Sequence, residues 1–289
     1  MQSNSAWARD ATSRARLLPE LASLVSQAGA RILELAAKGV HGRAKPDRSV
    51  VTEADEASEK ILLRGIERIL PGVPVIAEEA VARGHASAVG DAFFLVDPLD
   101  GTREFLAGTP EFTINVAVVL AGTPVLGLIY APAEAMLHAG GDGRALRAKL
   151  APGKAYAAAD AAIIRARARP DRLVAAVSRS HFDAASEAFL ARLPVARRIP
   201  LGSALKFCRI AEGEVDVYPR LAPVHEWDAA AGHALVVAAG GSVSRPDGSA
   251  LAYGGAEKRW LIDGFVAWGA PASRHVFPRP ALPPTGHTP

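Results

Sequence analysis

Near the start of the chain apolar residues recur at helical spacing. Leu17, Leu18, Leu21, Leu24, Val25, Ala28, Ile32 and Leu35 fall on one face and predict a packed helix. A second helix is expected from about Glu53 to Leu70, with Ile61, Leu62, Ile66 and Ile69 inward and Pro71-Gly72 as its stop. Short strands follow at 74–78 (PVIAE) and 93–97 (FFLVD). From Ile114 to Ala133 the chain is uncharged for about twenty positions, the length of a membrane span. The break at Ala121-Gly122-Thr123-Pro124 divides it into INVAVVL and VLGLIYA, both rich in β-branched residues, which predicts a hairpin of buried strands and no transmembrane segment. Residues 154–170 are rich in Ala and Arg with little periodicity, and a domain boundary is placed near their end. Residues 1–170 are then an N-terminal α+β domain and residues 171–289 a C-terminal α/β domain. The second should carry a strand at 173–178, helices around 183–193 and 203–213, a strand at 215–219 and a helix at 228–239. That alternation predicts a parallel-type sheet.

Composition narrows the class without naming chemistry. The 289 residues are 49% hydrophobic and 22% charged, which excludes disordered and fibrous classes. The sequence pI is about 9.2, yet 33 Lys and Arg stand against 30 Asp and Glu, a net charge of only +3. That is weak support for a nucleic-acid polymer or a membrane as partner. The single cysteine, Cys208, excludes an intramolecular disulfide and a Cys-rich zinc site, and it suits a reducing compartment. The first eighteen residues lack an apolar core before a cleavage site, so no secretory signal is expected. A transit peptide is set aside because the helical pattern begins almost at once. The expected location is the cytoplasm, with peripheral attachment at the inner face of the membrane as a variant.

Four acidic clusters carry the candidate chemistry. In VTEAD (51–55), Thr52 and Asp55 read either as a capping box or as a carboxylate aimed out of the core at a helix start. Glu78-Glu79 follows an apolar strand and reads otherwise as a solvated edge. In DPLDGT, the strand delivers Asp97 to a sheet end. Pro98 turns the chain so that Asp100 faces the same side, and Gly101 and Thr102 offer free N–H groups to a phosphate. Asp228 in WDAAAG reads alone as an N-cap. Two carboxylates about 4 Å apart repel by roughly 4 kcal/mol at an effective dielectric near 20. A pocket that collects several of them therefore calls for cations, and hard oxygen donors without His or Cys point to Mg²⁺ and phosphoryl transfer.

DPLDGT after an apolar strand, the Glu78-Glu79 pair, VTEAD and WDAAAG resemble the signature set of the inositol monophosphatase superfamily, and six segments in order carry a closer likeness within it. They are KPDRSVVTEAD (45–55), DGTREF (100–105), EFTINVAVV (111–119), SRSH (178–181), GSALKFCRIAEGEVDVYPR (202–220) and WDAAAGHA (227–234). Within it the chain is most similar to the bacterial 3'(2'),5'-bisphosphate nucleotidases. The resemblance implies a layered αβαβα sandwich of the inositol monophosphatase and fructose-1,6-bisphosphatase type, with the active site at the junction of two domains. It also implies hydrolysis of the 3'-phosphate of adenosine 3',5'-bisphosphate to AMP, with the sulfated analogue as a further substrate in sulfur assimilation.

By the same resemblance Glu78, Asp97 and the carbonyl of Leu99 hold one Mg²⁺. Asp97, Asp100 and Asp228 hold a second, and a third lies near Glu78 and Asp47. The nucleophile is a water made acidic by the metal, its proton accepted through the Thr102–Asp55 pair or Glu78. Gly101 and Thr102 hold phosphate oxygens, and the ribose oxygen departs near Asp228. Ser178, Arg179, His181, Lys206 and Arg220 are candidates for the nucleotide side, because a cation suits a second phosphate better than a neutral polyol. Millimolar Li⁺ should inhibit. Ala80 and Ala204 depart from the family's usual small polar residues and touch no ligand position. Cys208 is expected to be a buried helix residue. The protein is expected to be a monomer or homodimer. The rivals are inositol monophosphatase or fructose-1,6-bisphosphatase activity, a non-catalytic metal- or phosphate-binding protein and, distantly, a nucleic-acid binder.

Overall fold

The computed structural model describes residues 6–39, 41–44, 50–85, 87–180 and 183–270. After a one-turn helix at Ala6–Arg9, the apolar stripe forms α1 (Ala11–Lys38). Asp10 caps it by accepting from the N–H groups of Thr12 and Ser13. Helix α2 (Glu53–Ile69) opens in a true capping box, since Thr52 accepts from Ala54 and Asp55 accepts from Thr52 N–H. The two helices pack closely because Gly65 leaves room for Leu24. A Cβ at Gly65 would stand 2.2 Å from Leu24 Cδ1.

The main sheet has seven strands in consecutive order: β1 (Val75–Ala77), β2 (Ala92–Asp100), β3 (Thr113–Leu120), β4 (Thr123–Ala131), β5 (Met136–Gly141), β6 (Arg144–Lys149) and β7 (Ala161–Ile164). Only β1 and β2 pair in parallel; the others form an antiparallel meander. Along β2, Phe94 and Val96 join the apolar cluster of α1 and α2, while Phe93 and Leu95 join the cluster on the opposite face. A strand covered on both faces reads as a continuous apolar run, as FFLV does.

The opposite face is covered by α6 (Leu205–Ala211) and α7 (Glu226–Ala238), following α3 (Glu78–Ala82), α4 (Thr102–Leu106) and α5 (Ala184–Leu190) in chain order. Beyond them lies a second sheet of five strands: β8 (Leu173–Ser178), β9 (Val195–Leu201), β10 (Val217–Arg220), β11 (Ser242–Ser244) and β12 (Phe265–Trp268), ordered β9-β8-β10-β12-β11. Helix α5 covers its outer face, with Phe189 and Leu190 against Leu173, Ala175 and Trp268. The layers are therefore α1/α2, seven strands, α6/α7, five strands and α5, the αβαβα sandwich expected from the sequence.

Two expectations need correction. The second sheet is mixed: β8 pairs in parallel with β9 and β10, but β12 runs antiparallel to β10 and β11. The featureless stretch 154–170 contains β7, the last strand of the first sheet. It escaped notice because an edge strand buried on one side needs little apolar periodicity. Among the described residues no helix is long and apolar enough to cross a membrane.

Candidate active site

Asp97 and Asp100 are three residues apart, so in a regular strand they would point to opposite faces. The β2–β3 register resolves this, pairing Asp97 with Asn115 and Asp100 with Thr113, three steps on one strand against two on the other. The extra residue is a bulge at Pro98-Leu99, and it turns both aspartates into the same cavity. The Leu99 N–H donates to Asp97 at 3.1 Å, and Asp100 accepts from Ser203 at 2.7 Å and Asn115 at 3.3 Å.

Gly101 then reverses the chain at φ +89°, and α4 starts at Thr102. A Cβ at Gly101 would lie 3.0 Å from the Glu111 carbonyl and 3.2 Å from Ser203 Cβ. Gly101→Ala is therefore expected to cost about 1–2 kcal/mol from the left-handed backbone alone. Displacement of the turn should lower kcat on the order of 10²-fold. Denaturant unfolding and phosphate release check the two effects separately.

Helix α2 steadies the neighbouring segments from one face. Asp55 Oδ2 accepts from Thr52, while Oδ1 accepts from Thr102 Oγ1 at 3.1 Å. One oxygen serves the capping box and the other Thr102, just after β2, while the carboxyl itself is 1% exposed and is not aimed out of the core as the second reading had it. Ser58 donates to the Pro98 carbonyl at 2.7 Å. Glu59, buried, accepts from the N–H groups of Glu79 and Ala80 at 2.8 and 3.1 Å and pairs with Arg83. That fixes the corner between β1 and α3 from which Glu78 projects, and the parallel β1–β2 pairing brings the corner beside Asp97.

Asp228 arrives from the other half, on the first turn of α7. It is not the N-cap, which is His225. Asp228 sits two residues inside the helix and accepts from the His225 N–H at 3.1 Å. Glu78, Asp97, Leu99, Asp100, Gly101, Thr102 and Asp228 all line one open cavity of about 280 Å³. Ser178, Lys206 and Arg220 line the same cavity.

Charge is strongly segregated here. Burial, reinforced by the charges of Glu78, Asp100, Asp228 and Asp55, pushes the Asp97 carboxyl well above the usual carboxylate range. Asp228 is pushed the same way by burial and then by Asp100 and Glu78. Burial raises Asp55 to about 6, against the hydrogen bonds from Thr52. Lys206, 4% exposed, is lowered to about 8 by burial, with Asp100 opposing the shift. Among the described residues no three His, Cys, Asp or Glu side chains stand close enough to enclose a metal as they are. The acidic donors of the cavity, Glu78, Asp97, Asp100 and Asp228 with the Leu99 carbonyl, are nevertheless hard oxygens, and burial together with their mutual repulsion raises two of their pKa values. Both features fit hard divalent cations such as Mg²⁺.

The remaining sequence candidates separate. Arg179 does not line the cavity: it forms a bidentate pair with Glu111 at 2.7 Å and donates to the Pro200 carbonyl. Lys206 lines the cavity while its ammonium donates to the carbonyls of Leu201 and Ser203 and stands 5.2 Å from the Tyr218 ring. Asp47 and His181 lie outside the described residues. Cys208 is fully buried in α6, as expected. Sequence reasoning missed Asn115, Ser203, His225 and Trp227 as neighbours of the carboxylates. The one available signal for Asn115, Ser203 and Trp227 was their place inside the matched segments; His225 lies between two of them and had none.

A layered αβαβα fold with a carboxylate-rich cavity at the ends of its strands defines a metal-dependent phosphoester hydrolase class. The inositol monophosphatase family model matches residues 15–270, and the chain belongs to that family. The 3'(2'),5'-bisphosphate nucleotidase CysQ of Salmonella typhimurium is 37% identical over 239 residues, covering 82% of this chain and 94% of the relative. The CysQ of Buchnera aphidicola is 36% identical, covering 82% and 88%. The crystal structure of CysQ from Bacteroides thetaiotaomicron superposes with a TM-score of 0.72 at 31% identity, over 86% of this chain and 95% of that one.

Proposed function

We propose that this protein is a Mg²⁺-dependent phosphatase that removes the 3'-phosphate of adenosine 3',5'-bisphosphate, giving AMP and inorganic phosphate, and that it also accepts the sulfated analogue. The observation that carries the reading is the meeting of four carboxylates with two cations in one cavity. The carboxylates are Glu78, Asp97, Asp100 and Asp228; the cations are Lys206 and Arg220. Similarity to the CysQ nucleotidases supports the choice of substrate.

Glu78, Asp97 and the Leu99 carbonyl would hold one Mg²⁺, and Asp97, Asp100 and Asp228 a second. The ions would supply Lewis acidity and charge neutralisation at the phosphate. The turn Gly101-Thr102 orients phosphate oxygens through its N–H groups. The hydroxyl of Thr102, which donates to Asp55 Oδ1, presents a lone pair to the attacking water and aligns it. In the overall reaction water replaces the ribose oxygen on phosphorus, and that oxygen leaves as the 3'-hydroxyl beside Asp228. Positioning and charge neutralisation provide most of the acceleration. On the nucleotide side, Arg220, Lys206 and Ser178 face the second phosphate and its sugar. An arginine favours a doubly charged phosphate over a neutral hydroxyl.

Phosphate release from adenosine 3',5'-bisphosphate, inositol monophosphate and fructose 1,6-bisphosphate at equal Mg²⁺ tests the reading. The expected result is a preference in kcat/KM of about tenfold or more for the nucleotide. A preference for inositol monophosphate or fructose 1,6-bisphosphate would overturn the assignment. Absence of turnover on all three would favour a binding protein.

A further inference from the structure

The carboxylate cluster belongs mostly to the first sheet, yet one contact on it comes from the loop between β9 and α6. Ser203 Oγ donates to Asp100 Oδ2 at 2.7 Å. A carboxylate oxygen accepts, so the Ser203 hydroxyl keeps its proton and directs it at Asp100 Oδ2. Thr113 Oγ1 stands 2.5 Å from Ser203 Oγ and also reaches Asn115 Oδ1 at 2.8 Å, so its one proton serves one of the two contacts at a time. Asp100 Oδ2 also receives Asn115 Nδ2. That oxygen is therefore held by two donors, while Oδ1 has no hydrogen bond among the described residues.

Ser203 is held in a conformation that a serine seldom adopts. Its φ is +51°, in the left-handed region. The surrounding groups enforce it from three directions. Gly202 N–H donates to Glu111 Oε2 at 2.8 Å, and a Cβ at Gly202 would lie 2.8 Å from the Glu111 carbonyl. Glu111 is in turn clamped by Arg179, whose own N–H donates to the Leu201 carbonyl. From beneath, Lys206 Nζ donates to the carbonyls of Leu201 and Ser203. Strain that the structure over-determines around one hydroxyl suggests that the hydroxyl has work to do.

We infer that Ser203 is a positioning residue that fixes the Asp100 carboxylate toward the cavity, with Lys206, Glu111 and Arg179 acting as the frame of its loop. The inference rests on the reading of Asp100 as a Mg²⁺ ligand. It gives the C-terminal half a second contribution to the metal centre besides Asp228. It also gives Arg179 and Lys206 a task that needs no contact with the nucleotide. Hydrogen bonds of this kind on a ligating carboxylate set the rotamer that the metal meets, and their loss weakens metal binding by about 10–100-fold.

Two variants separate the hydroxyl from the strain. Ser203→Ala removes the hydroxyl and keeps the backbone penalty; Ser203→Gly removes both. Thermal unfolding of each protein without substrate is followed across a Mg²⁺ titration, and kcat and KM are measured at saturating Mg²⁺. The expected result is a Mg²⁺ midpoint raised about tenfold or more in both variants. The metal-free Tm of Ser203→Gly should equal or exceed that of the wild type, and kcat should fall with little change in KM. Wild-type Mg²⁺ midpoints in both variants would overturn the inference. A raised KM with unchanged kcat and midpoint would also overturn it, making Ser203 a substrate contact. If the wild type hydrolysed none of the three phosphate esters but the midpoint shift persisted, the proposed activity would fail while the role of Ser203 stood.

Discussion

Asp97→Asn should lower phosphate release on the order of 10³-fold while making the metal-free protein more stable. Asp97 is 1% exposed and surrounded by Glu78, Asp100, Asp228 and Asp55. Asparagine keeps an oxygen to accept from the Leu99 N–H and removes the charge. Replacement of a buried, mutually repelling ion by a neutral isostere should stabilise by about 1–3 kcal/mol.

The sign of the pH dependence follows from the raised pKa. A carboxyl that titrates higher in the folded state than in the unfolded chain binds more protons when folded. Its contribution to stability is complete below about pH 4 and is lost as pH rises through the folded value. The advantage of Asp97→Asn without Mg²⁺ should therefore be absent at pH 4 and grow toward neutrality. Taking the difference between the two proteins cancels the distant carboxylates and leaves Asp97 with the neighbours it repels. Mg²⁺ should reverse the order, because binding at 100 times Kd adds about 2.7 kcal/mol to the wild type alone. Calorimetric unfolding at several pH values, with Mg²⁺ and with a chelator, reads all of this. A variant less stable than wild type in chelator, or one stabilised equally by Mg²⁺, would remove Asp97 from the metal centre.

A second large effect is expected at a residue that supplies no donor to the cavity. Gly127 lies in β4, where a Cβ would meet the Ala231 carbonyl oxygen at 2.3 Å and its Cα at 2.9 Å. Ala231 stands in α7, one turn after Asp228. The obstruction is backbone, which cannot turn aside as a side chain does. Gly140 and Gly232 make similar allowances, against Leu235 Cα and the Phe207 ring. Gly127→Ala should thus lift α7 from the sheet, costing about 2–3 kcal/mol and roughly 5–10 °C in Tm. It should also lower kcat, since Asp228 moves with the helix. An unchanged Tm would show that the sheet yields more readily than its packing implies.

The acidic motifs were legible in the chain because each sits where an apolar run meets a turn. FFLV followed by DPLDGT announces a strand end, and AAAGHALVVA after Asp228 announces a helix. The strands at Met136–Gly141, Arg144–Lys149 and Val195–Leu201 were not legible. Two glycines end the first. The second is interrupted by Arg and Lys. The third carries two arginines and a proline on a sheet edge, where exposure removes the need for apolar alternation. Their partners across the sheet, rather than their own residues, make them strands.

What the sequence determined by itself is the chemistry available: a set of hard oxygen donors in a fixed order, and the family that such an order marks. The tertiary structure decided which of those groups meet. A bulge at Pro98-Leu99 puts Asp97 and Asp100 on one side, and glycines in two strands let α7 carry Asp228 to them. The Glu111 pair withdraws Arg179 from the cavity, and the loop at Ser203 reaches across to Asp100. Local pattern is written in consecutive side chains. Convergence depends on contacts between residues about a hundred positions apart, here Ser203 and Asp100, and only the packed layers specify it.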